Sequence, residues 1–316
     1  MNRIKKVMTF TISCIFVVSS LTGCKKSSND TSEKNFSAKT SETNIPETTQ
    51  PQETSNTDTP KRPIYVIKSY NVYNEKETLD HYYNFDYEDN KLIKVEGYDT
   101  QGLGITYKTE INDDNNLTAF SSFDSKGAKS EYYKMELFDD GTLKCEQRYS
   151  PTDEVLYKYD YTYNDNKQLD TKTGYSDGTK QAGKSGYTYN KNKKIVQQTN
   201  YSVKGDATSY IKYYYKKGRL VTEKYLSKDG KIYYINKYTY NKKGRLTIVR
   251  NYTDKKCKKL ASTIRYKYNK NGLKTDEFRY TKSNTPQMHI NIKYRKIKVV
   301  KEKPWYLDWV YNKISE

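Results

Sequence analysis

The chain has 316 residues, 57 Lys+Arg against 38 Asp+Glu, a formal net charge of +19, 35 tyrosines, two histidines and four cysteines. Two histidines and scattered cysteines leave no material for a metal centre of two to four His or Cys ligands. A basic surplus this large points instead towards anionic partners.

Residues 1–23 open with Arg3, Lys5 and Lys6, run apolar from Val7 to Val18, and end in Leu21-Thr22-Gly23 before Cys24. A positive start, an apolar stretch too short to span a bilayer and small residues at a cut site make a secretory signal. Leu21-Thr22-Gly23-Cys24 resembles the lipobox of bacterial lipoproteins. That resemblance implies diacylglycerol attachment at Cys24, with membrane lipid as first partner and an extracytoplasmic, lipid-anchored location. Two acyl chains, at ~0.8 kcal/mol per buried CH₂, anchor stably where one does not. Of the other cysteines, Cys14 leaves with the signal, and Cys145 and Cys257 are expected as unpaired thiols.

After Cys24, the stretch to Arg62 is Ser-, Thr-, Asn-, Glu- and Pro-rich, with six cations and six anions. It has too little apolar surface to fold and reads as a tether, with an r.m.s. span of roughly 35 Å and an extended reach of about 130 Å. No second hydrophobic run of spanning length follows.

From residue 63 to 300 the chain repeats itself. The markers Tyr87, Ile111, Leu137, Tyr163, Tyr189, Tyr215, Tyr240, Tyr268 and Tyr294 are spaced by 24, 26, 26, 26, 26, 25, 28 and 26. An aliphatic follows each of the first eight: Leu92, Leu117, Leu143, Leu169, Ile195, Leu220, Leu246 and Leu273. About six residues further comes an aromatic. In one unit, Tyr238 and Tyr240 share a strand face, Asn241–Arg245 supplies turn residues, and Leu246, Ile248 and Tyr252 share parity as the apolar face of the next strand. The expected fold is all-β: an antiparallel meander of about eight ~26-residue hairpins forming an elongated twisted sheet or an open spiral.

The string "YTYNKKGRL" at 238–246, with "YYYKKGRL" at 213–220 and "YKYNKNGL" at 266–273, resembles the YD repeat of RHS-type proteins. The resemblance covers roughly residues 80–295 and implies hairpins whose tyrosines pack along a continuous sheet. Asn usually stands in place of the Asp, and neither an autoproteolytic Asp-Pro segment nor a C-terminal toxin is present. Eight units are expected to be too few to close that family's large shell, so toxin packaging is not carried over. Residues 301–316 contain "PWYLDWVYNKI", in which Pro304, Trp305 and Trp309 predict a short helical cap over the last repeat.

No catalytic constellation is visible. His81 and His289 stand far apart with no nucleophile partner in sequence, and no phosphate-cradling or nucleophile motif occurs. The expectation is a non-enzyme with no cofactor, no metal and no small-molecule substrate. Charge, by contrast, is strongly segregated: residues 63–160 hold 11 cations and 20 anions, residues 161–316 hold 37 and 12. The Tyr-x-Tyr turns carry this split. Early ones hold Glu88/Asp89, Asp113/Asp114 and Asp139/Asp140; later ones hold Lys191, Lys193, Lys194, Lys216, Lys217, Arg219, Lys242, Lys243, Arg245 and Lys270. With successive tips roughly 10 Å apart, the cations form a candidate comb for a linear polyanion. The expected function is a membrane-anchored binding or scaffold module contacting an anionic wall polymer, acidic glycan or envelope protein. The alternative is an immunity or antagonist lipoprotein that binds a secreted protein or toxin.

Overall fold

The computed structural model describes residues 62–299 and 304–315. The signal sequence, Cys24 and the tether through Lys61 lie outside the described residues. The first strands are β1 (Arg62–Tyr73), β2 (Leu79–Glu88), β3 (Lys91–Asp99), β4 (Gly102–Ile111), β5 (Leu117–Asp124) and β6 (Lys129–Leu137). Then come β7 (Leu143–Tyr149), β8 (Val155–Tyr163), β9 (Leu169–Ser176), β10 (Lys180–Tyr189), β11 (Ile195–Tyr201) and β12 (Ala207–Lys216). The last are β13 (Arg219–Ser227), β14 (Ile232–Tyr240), β15 (Leu246–Tyr252), β16 (Leu260–Tyr268), β17 (Lys274–Thr281) and β18 (Pro286–Val299). Helix α1 spans Trp305–Ser315.

Each strand pairs antiparallel with the next, and β18 pairs with β1 from Arg62↔Val299 to Tyr73↔His289. The 18-stranded sheet therefore closes into a barrel. This corrects the expected elongated sheet or open spiral: an open array leaves two edges of unpaired N–H and C=O groups, and closure satisfies both. The seam also completes the repeat. Tyr294 of β18 faces Ile67 of β1, with a register shift just beyond, as Tyr240 faces Leu246 within one hairpin. Strands β18 and β1 are thus the two halves of a ninth unit, divided between the ends of the folded chain.

A tyrosine ladder links the units. The marker tyrosine of one unit donates its hydroxyl to the backbone carbonyl opposite the marker of the unit before: Tyr87 to Ile67 (2.9 Å), Tyr163 to Leu143 (2.9 Å), Tyr189 to Leu169 (2.7 Å) and Tyr215 to Ile195 (2.8 Å). Tyr240 to Leu220 (2.8 Å), Tyr268 to Leu246 (2.5 Å) and Tyr294 to Lys274 (2.7 Å) continue it. In the eighth unit Lys274, not Leu273, occupies the position opposite the marker Tyr268.

The pairing also corrects the parity reading. Tyr240 pairs with Leu246 but Thr239 pairs with Ile248, so Thr247 is an extra residue and the strand bulges. Leu246 stays on the face of Tyr238 and Val249, and Ile248 and Tyr252 turn to the other face. A one-residue offset exchanges faces because the side-chain period is two.

The two faces differ in chemistry. The face carrying Tyr83, Tyr107, Tyr161, Tyr187, Tyr213 and Tyr225 lines the interior, where burial lifts each phenol above its ordinary pKa. Two buried carboxylates there show the pairing that desolvation demands. Glu223 accepts Asn236 Nδ2 (2.9 Å) and Tyr238 Oη (2.7 Å), and Glu277 pairs with Lys274 (3.0 Å) and Arg279 (2.8 Å). The opposite face carries Lys108, Lys134, Lys237, Arg265 and Lys267, all exposed. A lipid-facing barrel wall is an apolar band in which Lys or Arg at mid-depth costs about 2–4 kcal/mol each, so this wall is built to face water. Rings of about this strand number enclose a lumen wider than their side chains fill.

Helix α1 docks at a place the sequence did not indicate. Trp305 Nε1 donates to Asn116 Oδ1 (3.3 Å), the Leu92 amide donates to Tyr306 Oη (3.4 Å), and Trp309 Nε1 donates to Glu146 (3.2 Å). The Trp309 ring meets Phe120 and Tyr133 edge-on at 5.4 and 5.3 Å. Trp305, Tyr306 and Trp309 at the start of the cap therefore lie against the inner wall of the first three hairpins, not the last repeat. The second and third of these hairpins carry Ile111 and Leu137 at the marker position in place of tyrosine.

Candidate polyanion-binding rim

Every Tyr-x-Tyr turn opens on one rim of the barrel, and local chemistry explains why lysines crown it. In the 240–246 turn the Asn241 amide donates to the Arg245 carbonyl (2.9 Å) and the Gly244 amide to the Asn241 carbonyl (2.9 Å). Asn241 Oδ1 accepts the Arg245 amide at 3.0 Å. Gly244 takes a positive φ of 79°, where a side chain is strained. The backbone closes on itself, leaving Lys242 and Lys243 exposed. Asn164, Asn190 and Asn269 repeat the side-chain bond, which explains how Asn replaces the Asp of the repeat it resembles.

The ten sequence-predicted cations divide into two sets. Lys194, Arg219 and Arg245 face the neighbouring tip. Lys194 Nζ bonds the Gly218 carbonyl and sits 5.3 Å from the Tyr215 ring centroid. The Arg219 guanidinium lies 5.8 Å from the Tyr240 centroid, against Gly244. Arg245 lies 5.8 Å from the Tyr268 centroid and donates to the Asn269 carbonyl at 3.3 Å. These three fasten successive units together. Lys191, Lys193, Lys216, Lys217, Lys242, Lys243 and Lys270 are exposed and have no side-chain partner among the described residues. The comb is thus an arc of seven lysines on four tips.

The acidic tips occupy the same rim. Glu88, Asp89, Asp113, Asp114, Asp139 and Asp140 are all exposed. Lys167 of the fourth tip bridges back to Asp140 at 2.9 Å; that bond, with those from Thr142, holds the Asp140 carboxyl well below the usual carboxylate range. Beside the fourth and fifth tips, Asn164, Gln168, Tyr187, Tyr189, Asn190 and Lys193 line a cleft of about 530 Å³.

Away from the rim, His289 sits on the seam. Its ring stacks between Phe278 (4.2 Å) and Tyr73 (5.2 Å), with Nδ1 against Glu77 (2.9 Å) and Nε2 against Asp276 (3.0 Å). His81 contacts Asp80 at 2.8 Å. Cys145 is buried, its thiol pushed up to about 12 by burial first, and Cys257 is half-buried; both are free. Among the described residues no cluster of three His, Cys, Asp or Glu side chains could hold a metal ion, and no helix is long and apolar enough to cross a membrane.

No protein-family profile and no curated protein matches this sequence. Solved structures match over most of the chain, at low identity and low structural similarity. A TcdB2–TccC3–Cdc42 structure is 10% identical over 72% of this chain and 15% of its own, with a TM-score of 0.35. The Photorhabdus luminescens Tc holotoxin pore is 12% identical over 73% and 13%, TM-score 0.34. A porin-like protein from Bacteroides uniformis is 10% identical over 72% and 98%, TM-score 0.32. The chain spans about 15% and 13% of the two toxin chains. At these scores the likenesses carry no functional weight.

Proposed function

We propose that the protein is an extracytoplasmic binding module, lipid-anchored through Cys24 and spaced from the membrane by residues 25–61, whose basic rim arc takes a linear polyanion of the cell envelope. The observation that carries this reading is the arc of seven unpartnered lysines on successive, rigidly closed tips. A wall polymer or acidic glycan has the repeating charge that tips roughly 10 Å apart would follow. The arc curves, so a chain of this kind would lie along part of the rim.

The test uses the full chain with poly(glycerol phosphate), duplex DNA and a neutral glucan across a salt series. The comparison variant changes the seven free lysines to Gln and keeps Lys194, Arg219 and Arg245. Binding to both polyanions, absent for the glucan, should fall steeply with salt and be lost in the variant. Binding that ignores salt and the lysines would overturn the reading.

A further inference from the structure

The polyanion reading leaves the acidic arc without a role, and closure of the barrel gives that arc an exact place. The rim has nine positions: eight hairpin tips in chain order, and the seam where β18 meets β1. Positions one to three are acidic, four is mixed with Asp165 and Lys167, and five to eight are basic. The acidic arc is centred on position two and the basic arc between six and seven, which is halfway round a ring of nine. The rim is bipolar, with its charges on opposite sides of one circle.

We propose that this rim docks on the same rim of a second copy of the chain. In a two-fold pairing, the surface of each copy must complement itself. A two-fold axis lying across the barrels through the seam, and opposite it between the fourth and fifth tips, brings Glu88, Asp113, Asp114 and Asp139 of each copy opposite Lys270, Lys243, Lys242 and Lys216 of the other. Any rotation that set acid on acid would be repelled, so the same charges select one orientation. The arrangement leaves the seams of the two copies side by side. The Arg62 ends of the two first strands then lie together, compatible with anchoring in one membrane on the reading above. Contacts made by exposed tips are screened over about 10 Å at 0.1 M salt, so the pair is a salt-sensitive, reversible one.

The test measures the mass of the full chain by sedimentation equilibrium in detergent, at low salt and at 1 M salt. One variant carries Glu88→Lys, Asp113→Lys, Asp114→Lys and Asp139→Lys; the other carries Lys216→Glu, Lys242→Glu, Lys243→Glu and Lys270→Glu. None of these eight positions has a positive φ, so the turns tolerate the changes. The wild type should be dimeric at low salt and monomeric at high salt, and each variant alone monomeric. An equimolar mixture of the two variants should regain a dimer, because one rim is then mainly basic and the other mainly acidic where they meet. A wild type that stays monomeric, a dimer indifferent to both variants, or a mixture that fails to pair would overturn the proposal. The first variant keeps the seven free lysines, so its binding to poly(glycerol phosphate) tests the polyanion reading separately.

Discussion

Tyr294 in the last strand faces Ile67 in the first, in the register that joins Tyr240 to Leu246 inside a single hairpin. The barrel closes by rebuilding a repeat unit from its two ends. The Tyr87 hydroxyl then bonds the Ile67 carbonyl at 2.9 Å, as Tyr240 bonds that of Leu220 at 2.8 Å. The ladder is continuous across the seam.

Removing one rung should cost what a part-buried hydrogen bond is worth. Tyr240→Phe keeps the ring and loses the donor to Leu220, which predicts a destabilisation of about 1 kcal/mol. Urea unfolding of the full chain would measure it. Tyr214→Phe, at an outward tyrosine that is 42% exposed, should change stability by less than about 0.5 kcal/mol.

Trp309→Ala should be much more damaging. It removes the edge-on contacts to Phe120 and Tyr133 and the donor to Glu146, and large-to-small changes of this kind cost about 3–5 kcal/mol. Hydrogen exchange should rise first in β5–β7. Trp309→Phe should retain most of the packing and lose only about 1–2 kcal/mol.

Alkali should unfold the barrel. Burial raises Tyr157 to about 12 and Tyr189 to about 12, from an ordinary 10.0, and raises Tyr213 and Tyr225 further. A phenol whose folded pKa exceeds its unfolded one contributes stability that is present below pH 10 and lost as pH rises towards the folded value. Thermal midpoints should therefore drop between pH 10 and 12, with tyrosine ionisation near 295 nm appearing together with unfolding. Ionisation of the inward tyrosines in an intact barrel would contradict this.

Acid acts through Glu277 with the opposite sign. Burial pushes its carboxyl up, but Lys274 and Arg279 outweigh that and leave it below its ordinary 4.5. Its contribution is present above the unfolded pKa and is lost as pH falls below it. Glu277→Gln should lower stability at pH 7, and its deficit relative to wild type should shrink in titrations below about pH 4.5.

His289 should hold the seam. His289→Ala removes the contacts to Glu77 and Asp276 and the stack between Tyr73 and Phe278. Faster hydrogen exchange should begin in β1 and β18, with the mid-barrel strands β8–β11 unchanged.

The sequence made the hairpin unit, the closed Asn-Gly turns and the charge split of the tips legible because all three are local. Each depends on residues within a few positions of one another. Closure was not legible, since Ile67 and Tyr294 are distant in sequence and no turn joins them. The faces of Ile248 and Tyr252 were misassigned because parity ignores the extra residue Thr247. Lys194, Arg219 and Arg245 read as free cations, yet each is matched to a carbonyl or ring in the next unit, about one repeat away. The cap was recognised as a helix from Pro304, Trp305 and Trp309, but Trp305, Tyr306 and Trp309 dock on Leu92, Asn116, Phe120, Tyr133 and Glu146, which lie far away in sequence.

The split unit also decides how the molecule would respond to force. Arg62 and Val299 sit directly opposite each other in one antiparallel pair. A load between them pulls on one end of that pair, opening it a bond at a time from Arg62↔Val299 towards Tyr73↔His289. Every other strand pair lies behind this one in the load path. Under tension the ring would part at the seam, releasing a chain of intact hairpins before any of them unfolds.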